Sequence, residues 1–166
     1  MKEVIIRPLS PSDDIDAITE LLHRAYRRNA EQNLHFVATH QDSTVTKERL
    51  ARGATFVAES EGQIVGTITV SWVTEPMGEF QPTIPTMSFN QFAVDPSRQG
   101  EKIGDRLLNQ AEEQARTMGV QQICCDTAQP ASGLIRYYQS HGYEVVGEVD
   151  WRPHVNYLSY VLVKAL

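Results

Sequence analysis

Residues 103 to 118 constrain the fold more than any other stretch of the chain. Ile103, Leu107, Leu108, Ala111, Ala115 and Met118 recur every three to four residues, so the segment predicts a helix whose apolar face, all six residues pointing inward, lies on a core. Two β-prone runs flank it: residues 87 to 94, ending at Asp95-Pro96, and residues 121 to 127, which follow a helix stop at Gly119. Strand, helix and strand in this order require a parallel pair with a right-handed crossover, because a tight turn joins only antiparallel strands.

The remaining elements arrange themselves around that unit. Residues 4 to 7 predict a first strand. Ser12 then stands as the cap of a helix marked by Ile15, Ile18, Leu21, Leu22, Ala25 and Tyr26, with Asp13, Asp14 and Asp16 in the first turn, where the helix dipole favours acids. Residues 29 to 43 are polar and irregular, and 46 to 52 predict a short helix closed by Gly53 as C-cap. Residues 54 to 59 and 63 to 73 form a hairpin about Glu61-Gly62. Residues 75 to 87, with Pro76, Gly78, Pro82 and Pro85, predict a surface loop. A helix over 130 to 141 stops at Gly142, and strands over 143 to 149 and 156 to 163 complete the chain. If the run Leu158 to Val163 lies at an edge, it offers a seam for a homodimer.

Composition narrows the partners. A chain of 166 residues suits one domain, residues 1–166, with a sizeable core. A net charge of −6 disfavours nucleic acid as partner and favours a cationic small molecule. No run approaches the ~18 apolar residues of a membrane span, and Met1 to Pro8 lack a secretory signal's apolar stretch, so a cytoplasmic location is expected. Cys124 and Cys125 are adjacent in an apolar run and read as small residues facing opposite sides of a strand. His23, His35, His40 and His141 lack metal-ligand spacing, so no metal is expected; His141, in the last turn of its helix, favours the dipole there.

The segment Ser97-Arg98-Gln99-Gly100-Glu101-Lys102-Ile103-Gly104 sits between a strand and the mouth of the dominant helix. Amides at a helix start carry about half a positive charge and solvate a phosphate without side chains. Gly100 and Gly104 allow close approach of the backbone, and Arg98, Lys102 and Arg106 add charge. Two glycines four apart also fit a plain turn with solvated basic residues. Neither a Walker loop nor a three-glycine dinucleotide fingerprint is present.

The stretch from Phe92 to Leu108 resembles motif A of the GNAT superfamily of acyl-coenzyme A dependent N-acetyltransferases, whose signature Q/R-x-x-G-x-G/A falls on Gln99 and Gly104. Lys102 stands where that signature has its middle glycine. Leu134 to Tyr143 are similar to the family's motif B, in which a tyrosine precedes a Gly-aromatic pair. The resemblance spans nearly the whole chain. It implies an α/β (α+β) fold with a mixed, mostly antiparallel sheet of six or seven strands, a central parallel pair and about four helices. It also implies acetyl-CoA as cosubstrate and an amine of a small molecule or peptide as acceptor, with direct transfer in a ternary complex. Arg98, Gln99, Gly100, Lys102, Ile103 and Gly104 then hold the pyrophosphate, and the backbone of Phe92, Ala93 and Val94 pairs with pantetheine and polarises the thioester near Val94.

Tyr138 matches the family's general acid, with Tyr137 as packing partner; the competing reading has Tyr138 pack on Leu134 and Ile135. The strand entering motif A, Met87-Ser88-Phe89-Asn90-Gln91, has no carboxylate where the family often has a glutamate. Proton removal is then expected through water held by Ser88, Asn90 or backbone carbonyls, or through Glu75, Glu79 or His154 from nearby loops. The acceptor pocket is expected from residues 29 to 43, 75 to 87 and 150 to 157, with Phe36, Trp72, Trp151 and Tyr157 as aromatic faces and Glu75 and Glu79 attracting a cation. Lys102 and the missing carboxylate also admit a non-catalytic acyl-CoA-binding module as the alternative.

Overall fold

A computed structural model describes residues 2–166. Its strands are β1 (Ile5–Pro8), β2 (Ala54–Ser60), β3 (Gln63–Trp72), β4 (Thr86–Val94), β5 (Gln122–Ala128), β6 (Glu144–Val149) and β7 (Ser159–Ala165). Its helices are α1 (Ile15–Glu31), α2 (Ser43–Leu50), α3 (Ile103–Thr117) and α4 (Ser132–Ser140). The strands form one sheet in the order β1-β2-β3-β4-β5-β7-β6, antiparallel throughout except for the central parallel pair β4 and β5. This is the mixed sheet that the strand-helix-strand unit requires.

Two helical layers cover the sheet. On one face, α3 crosses β1 to β5 and buries Ile103, Leu107, Leu108, Ala111 and Ala115, joined by Tyr138 of α4, against Ile68, Val70, Phe89 and Ile123. On the other face, Ile18 and Leu22 of α1 and Leu50 of α2 pack on Val57 and Ala93. The two cysteines point to opposite faces as expected: Cys125 joins the α3 core, and Cys124 the cluster with Val149 and Val161. Both thiols are pushed up by burial, that of Cys124 to about 12.

Local expectations hold where the signal is a turn conformation and fail where tertiary contacts decide. Glu61 and Gly62 both adopt positive φ, which matches the twist of the β2–β3 hairpin. The cap of α1 is Asp14, not Ser12: the Asp14 carboxylate accepts from the amides of Asp16 and Ala17 at 2.9 and 3.2 Å, while Ser12 bonds to Ser10. The helix α2 begins earlier than expected because Asp42 caps it through the amide of Val45. Gly53 is not its C-cap, which is Ala51; a Cβ at Gly53 would lie 2.0 Å from the carbonyl oxygen of Val70, so close approach to β3 requires the glycine. Met118 does not join the apolar face, since α3 ends before it and leaves it 45% exposed. The strand β7 is not an edge: it pairs with β5 on one side and β6 on the other, so the expected dimer seam is already filled and the open edges belong to β1 and β6.

Candidate active site

The site begins where the parallel pair comes apart. The strands β4 and β5 pair only from Thr86↔Gln122 to Ser88↔Cys124, although both run on for several residues. At that place β4 carries a bulge against β3, with Gln91 and Phe92 both opposite Ile68 and Gln91 at φ 51. A left-handed non-glycine residue costs roughly 1–2 kcal/mol, and Gln91 is held there by its side chain. With its oxygen turned toward the guanidinium, the Gln91 amide accepts from Nε and Nη1 of Arg49 at 3.1 Å. The bulge and the lost pairing turn a sheet into a gap.

A cavity of about 360 Å³ opens from this gap to the head of α3. Phe92, Ala93, Val94, Arg98, Gln99, Gly100, Lys102, Ile103 and Gly104 all line it, so every residue expected around the coenzyme meets in one place. The loop winds through an extended residue, Gln99 at φ −65 and ψ 148, and two left-handed ones, Gly100 at φ 85 and Lys102 at φ 59. Such turns aim successive amides into one concavity and suit an anion. A Cβ at Gly100 would meet only open space, so the glycine is needed for its conformation and for access from outside. Lys102 occupies the left-handed position that explains a glycine in the signature; the loop keeps its path, at the cost of that strain. The guanidinium of Arg98 does not add free charge as expected, because Glu101 accepts from its Nε and Nη2 at 2.8 and 2.7 Å. Arg106 is exposed and outside the cavity lining.

The two tyrosines of α4 divide their tasks. Tyr137 donates to Asp105 of α3 at 2.9 Å, and His141 reaches the same carboxylate oxygen with Nε2 at 3.0 Å while its Nδ1 meets the carbonyl of Tyr137 at 2.8 Å. His141 thus caps its helix as expected and also ties α4 to the first turn of α3. Tyr138 lies among Phe89, Phe92 and Tyr143, lines the cavity, and has its phenol raised well above the ordinary value, first by burial. It therefore stays protonated through the physiological range. On the opposite wall, Tyr26 donates to the carbonyl of Phe92 at 2.8 Å, which takes one backbone acceptor of β4 away from any ligand.

Comparison with known proteins decides the family. Residues 15–143, well over half of the chain, match the model of the acetyltransferase (GNAT) family. The chain belongs to the GNAT acetyltransferase family. Among curated relatives, it is 31% identical over 144 residues to the S-(2-succino)cysteine N-acetyltransferase of Bacillus subtilis (strain 168), covering 86% of each protein. It is 24% identical over 161 residues to the S-alkylcysteine N-acetyltransferase of the same organism, covering 90% of this chain and 84% of that one. Among solved structures, a GNAT family acetyltransferase from Elizabethkingia anophelis with acetyl-CoA bound superposes with a TM-score of 0.68 at 15% identity over 98% of both chains. The ribosomal-protein-S18-alanine N-acetyltransferase from Escherichia coli gives 0.73 at 15% identity, over 98% of this chain and 94% of that one. At these identities the structures speak for the fold.

In this GNAT acetyltransferase a carboxylate stands on β5, beyond the place where β4 parts from it. Asp126 lies on β5, two residues beyond the last β4 pair and on the same side as Cys124, away from α3. Its side chain is exposed to solvent; lost hydration raises its carboxyl above the usual range against the opposing pull of a hydrogen bond from Trp151 Nε1 at 3.0 Å and the charge of Arg49. Sequence reading missed Asp126, Arg49 and Tyr26. The expected aromatic wall forms in part: Phe36 lies between Tyr26 and Tyr157 at centroid distances of 5.2 and 5.0 Å, and Trp151 holds Asp126, whereas Trp72 stands exposed at the end of β3 opposite Met87. The 75 to 87 loop docks Met77 and Phe80 on Cys124 and Val149, leaving Glu75 and Glu79 exposed, and His154 is exposed in the turn before β7. The Oδ1 of Asn90 is enclosed without a hydrogen-bond partner, and Ser88 is only partly buried. Among the described residues no helix is long and apolar enough to cross a membrane, and no group of three metal-ligating side chains occurs.

Proposed function

We propose that residues 1–166 act as one catalytic unit that moves an acetyl group from acetyl-CoA to the α-amine of an S-substituted cysteine, with both substrates bound together. The observation that carries the reading is the parting of β4 from β5 at the mouth of α3, with Tyr138 on the wall of the resulting cavity. The acceptor class is supported by the printed activities of the two curated relatives. In this reading the amides of Gln99 to Gly104 take the pyrophosphate, and the backbone of Phe92 to Val94 pairs with the amide-rich arm. The amine nitrogen bonds to the thioester carbon as the carbon–sulfur bond breaks, and the phenol of Tyr138 passes its proton to the departing sulfur. A thiol of pKa about 8.5 leaves readily with that help.

The test is release of free thiol and formation of an N-acetylated product from acetyl-CoA and S-ethyl-L-cysteine, followed by mass spectrometry. Absence of thiol release above hydrolysis, with coenzyme binding intact, would overturn the acceptor assignment. Lys102 gives a separate prediction, because Lys102→Gly permits the same left-handed turn and removes the side chain with its charge. Coenzyme affinity measured by calorimetry is expected to fall several-fold at low ionic strength and to lose part of its salt dependence, since an exposed charge is screened within about 10 Å at 0.1 M salt. Unchanged affinity and salt slope would mean that Lys102 serves the turn alone.

A further inference from the structure

Two opposite charges lie beside the place where β4 and β5 part, outside the lining of the cavity at α3: Arg49 at the β4 bulge and Asp126 on β5 beyond the last β4 pair, and neither has an ion-pair partner within 4 Å among the described residues. Arg49 projects from α2 and is fixed by a neutral amide, that of Gln91 on the β4 bulge. Asp126 projects from β5 and is held by the indole of Trp151. Phe36 joins Tyr26 and Tyr157 into an aromatic wall nearby, at centroid distances of 5.2 and 5.0 Å, and the charges of Arg49 and Asp126 both act on the two phenols. Arg49 and Asp126 attract one another without forming an ion pair, so the partly buried guanidinium keeps hydrogen-bonding capacity for an anion and the exposed carboxylate for a cation. Their joint presence on opposite banks of the acyl-transfer gap is complementary to a ligand that carries both signs a few bonds apart.

We propose that Arg49 and Asp126 read the zwitterion of an α-amino acid acceptor, the guanidinium taking the α-carboxylate and the Asp126 carboxylate taking the α-ammonium and then its proton. The inference rests on the acetyl-transfer reading above and deepens it. The pair fixes which end of the acceptor enters the gap: the carboxylate is drawn to the β4 bulge and the nitrogen to β5. One ammonium proton goes to Asp126 and on to solvent, which frees the nitrogen lone pair; the nitrogen–carbon bond then forms, and as the carbon–sulfur bond breaks the second proton leaves the nitrogen and restores the phenol of Tyr138, which has given its own proton to sulfur. The lost hydration that raises the Asp126 carboxyl improves it as a proton acceptor. Planar, bidentate recognition of a carboxylate is the task for which a guanidinium is suited.

The experiment compares S-ethyl-L-cysteine with S-ethylcysteamine, which keeps the amine and thioether and lacks the carboxylate. The wild-type enzyme is expected to prefer the amino acid in kcat/KM by about 100-fold or more, the usual loss when one partner of a desolvated charge pair is removed. Arg49→Gln is expected to abolish most of that preference by lowering turnover of the amino acid alone, and Asp126→Asn to lower turnover of both acceptors, with coenzyme affinity unchanged in each variant. Equal use of the two acceptors by the wild type, which involves no variant and so no question of folding, would overturn the proposal while leaving acetyl transfer standing. An equal fall for both acceptors in Arg49→Gln would do the same. Turnover of neither acceptor by the wild type, with some other class of amine acetylated, would remove the S-substituted cysteine assignment and this proposal together.

Discussion

Tyr138→Phe is expected to lower kcat by about 10²- to 10³-fold, the usual contribution of a positioned general acid, while coenzyme affinity and stability stay near the wild-type values. The substitution keeps the ring that packs on Phe89 at 5.7 Å and Tyr143 at 6.0 Å, and removes only the hydroxyl. Because burial holds the phenol protonated, the loss should extend across the neutral pH range rather than appear on one limb of the profile. Tyr137→Phe supplies the contrast. It deletes the bond to Asp105 at 2.9 Å and so should cost about 1–2 kcal/mol of stability with a much smaller change in kcat. Steady-state kinetics beside denaturant melts of both variants separate the roles. If Tyr138→Phe keeps its kcat, Tyr138 is a packing residue and the leaving group needs no phenol.

Lys164→Met carries the largest expected effect on stability. Glu112 of α3 is 3% exposed, and its carboxylate accepts from Lys164 Nζ at 2.9 and 3.1 Å and from the Tyr143 hydroxyl at 3.0 Å. Methionine fills the space of the lysine stem but leaves the carboxylate enclosed with one neutral donor. Removing one partner of a buried pair typically costs about 3–5 kcal/mol, a large part of the ~5–15 kcal/mol that holds a domain folded. Adding Glu112→Gln should restore much of the loss, since a neutral amide still accepts from Tyr143 and no longer demands a cation. The midpoint of urea unfolding for the single and double variants measures both effects. A single-variant cost below about 1 kcal/mol would mean that water screens the pair as it does at a surface.

Much of this architecture is legible in local pattern. The apolar spacing from Ile103 to Ala115, bounded by Asp95-Pro96 and Gly119, marks the helix, and the β-prone runs on either side require the parallel pair. The loop from Gln99 to Gly104 and the tyrosine at 138 are recognisable through their resemblance to the family's two motifs, each of which lies within a single turn or helix. Glu112 is different: one acid in an amphipathic helix reads as wet, and only the arrival of Lys164 from the end of the chain keeps it inside.

The same limit explains Asp126 and β7. In Ile123-Cys124-Cys125-Asp126-Thr127 the aspartate is a single polar residue in an apolar strand, with nothing nearby to mark it as facing a gap. It does so because β4 bulges at Gln91 and leaves β5 after Ser88, an event in another part of the chain. Likewise Ser159–Ala165 has the composition of an edge or an interior strand equally, and lies inside because β6 pairs beyond it. Periodicity along the backbone therefore determined the elements, and the resemblance to the family's motifs marked the loop and the tyrosine. Which strands part, and which charges then face each other across the opening, depended on pairings between distant segments, because a strand's hydrogen-bond partners and a side chain's counter-charge are supplied by residues far away in sequence.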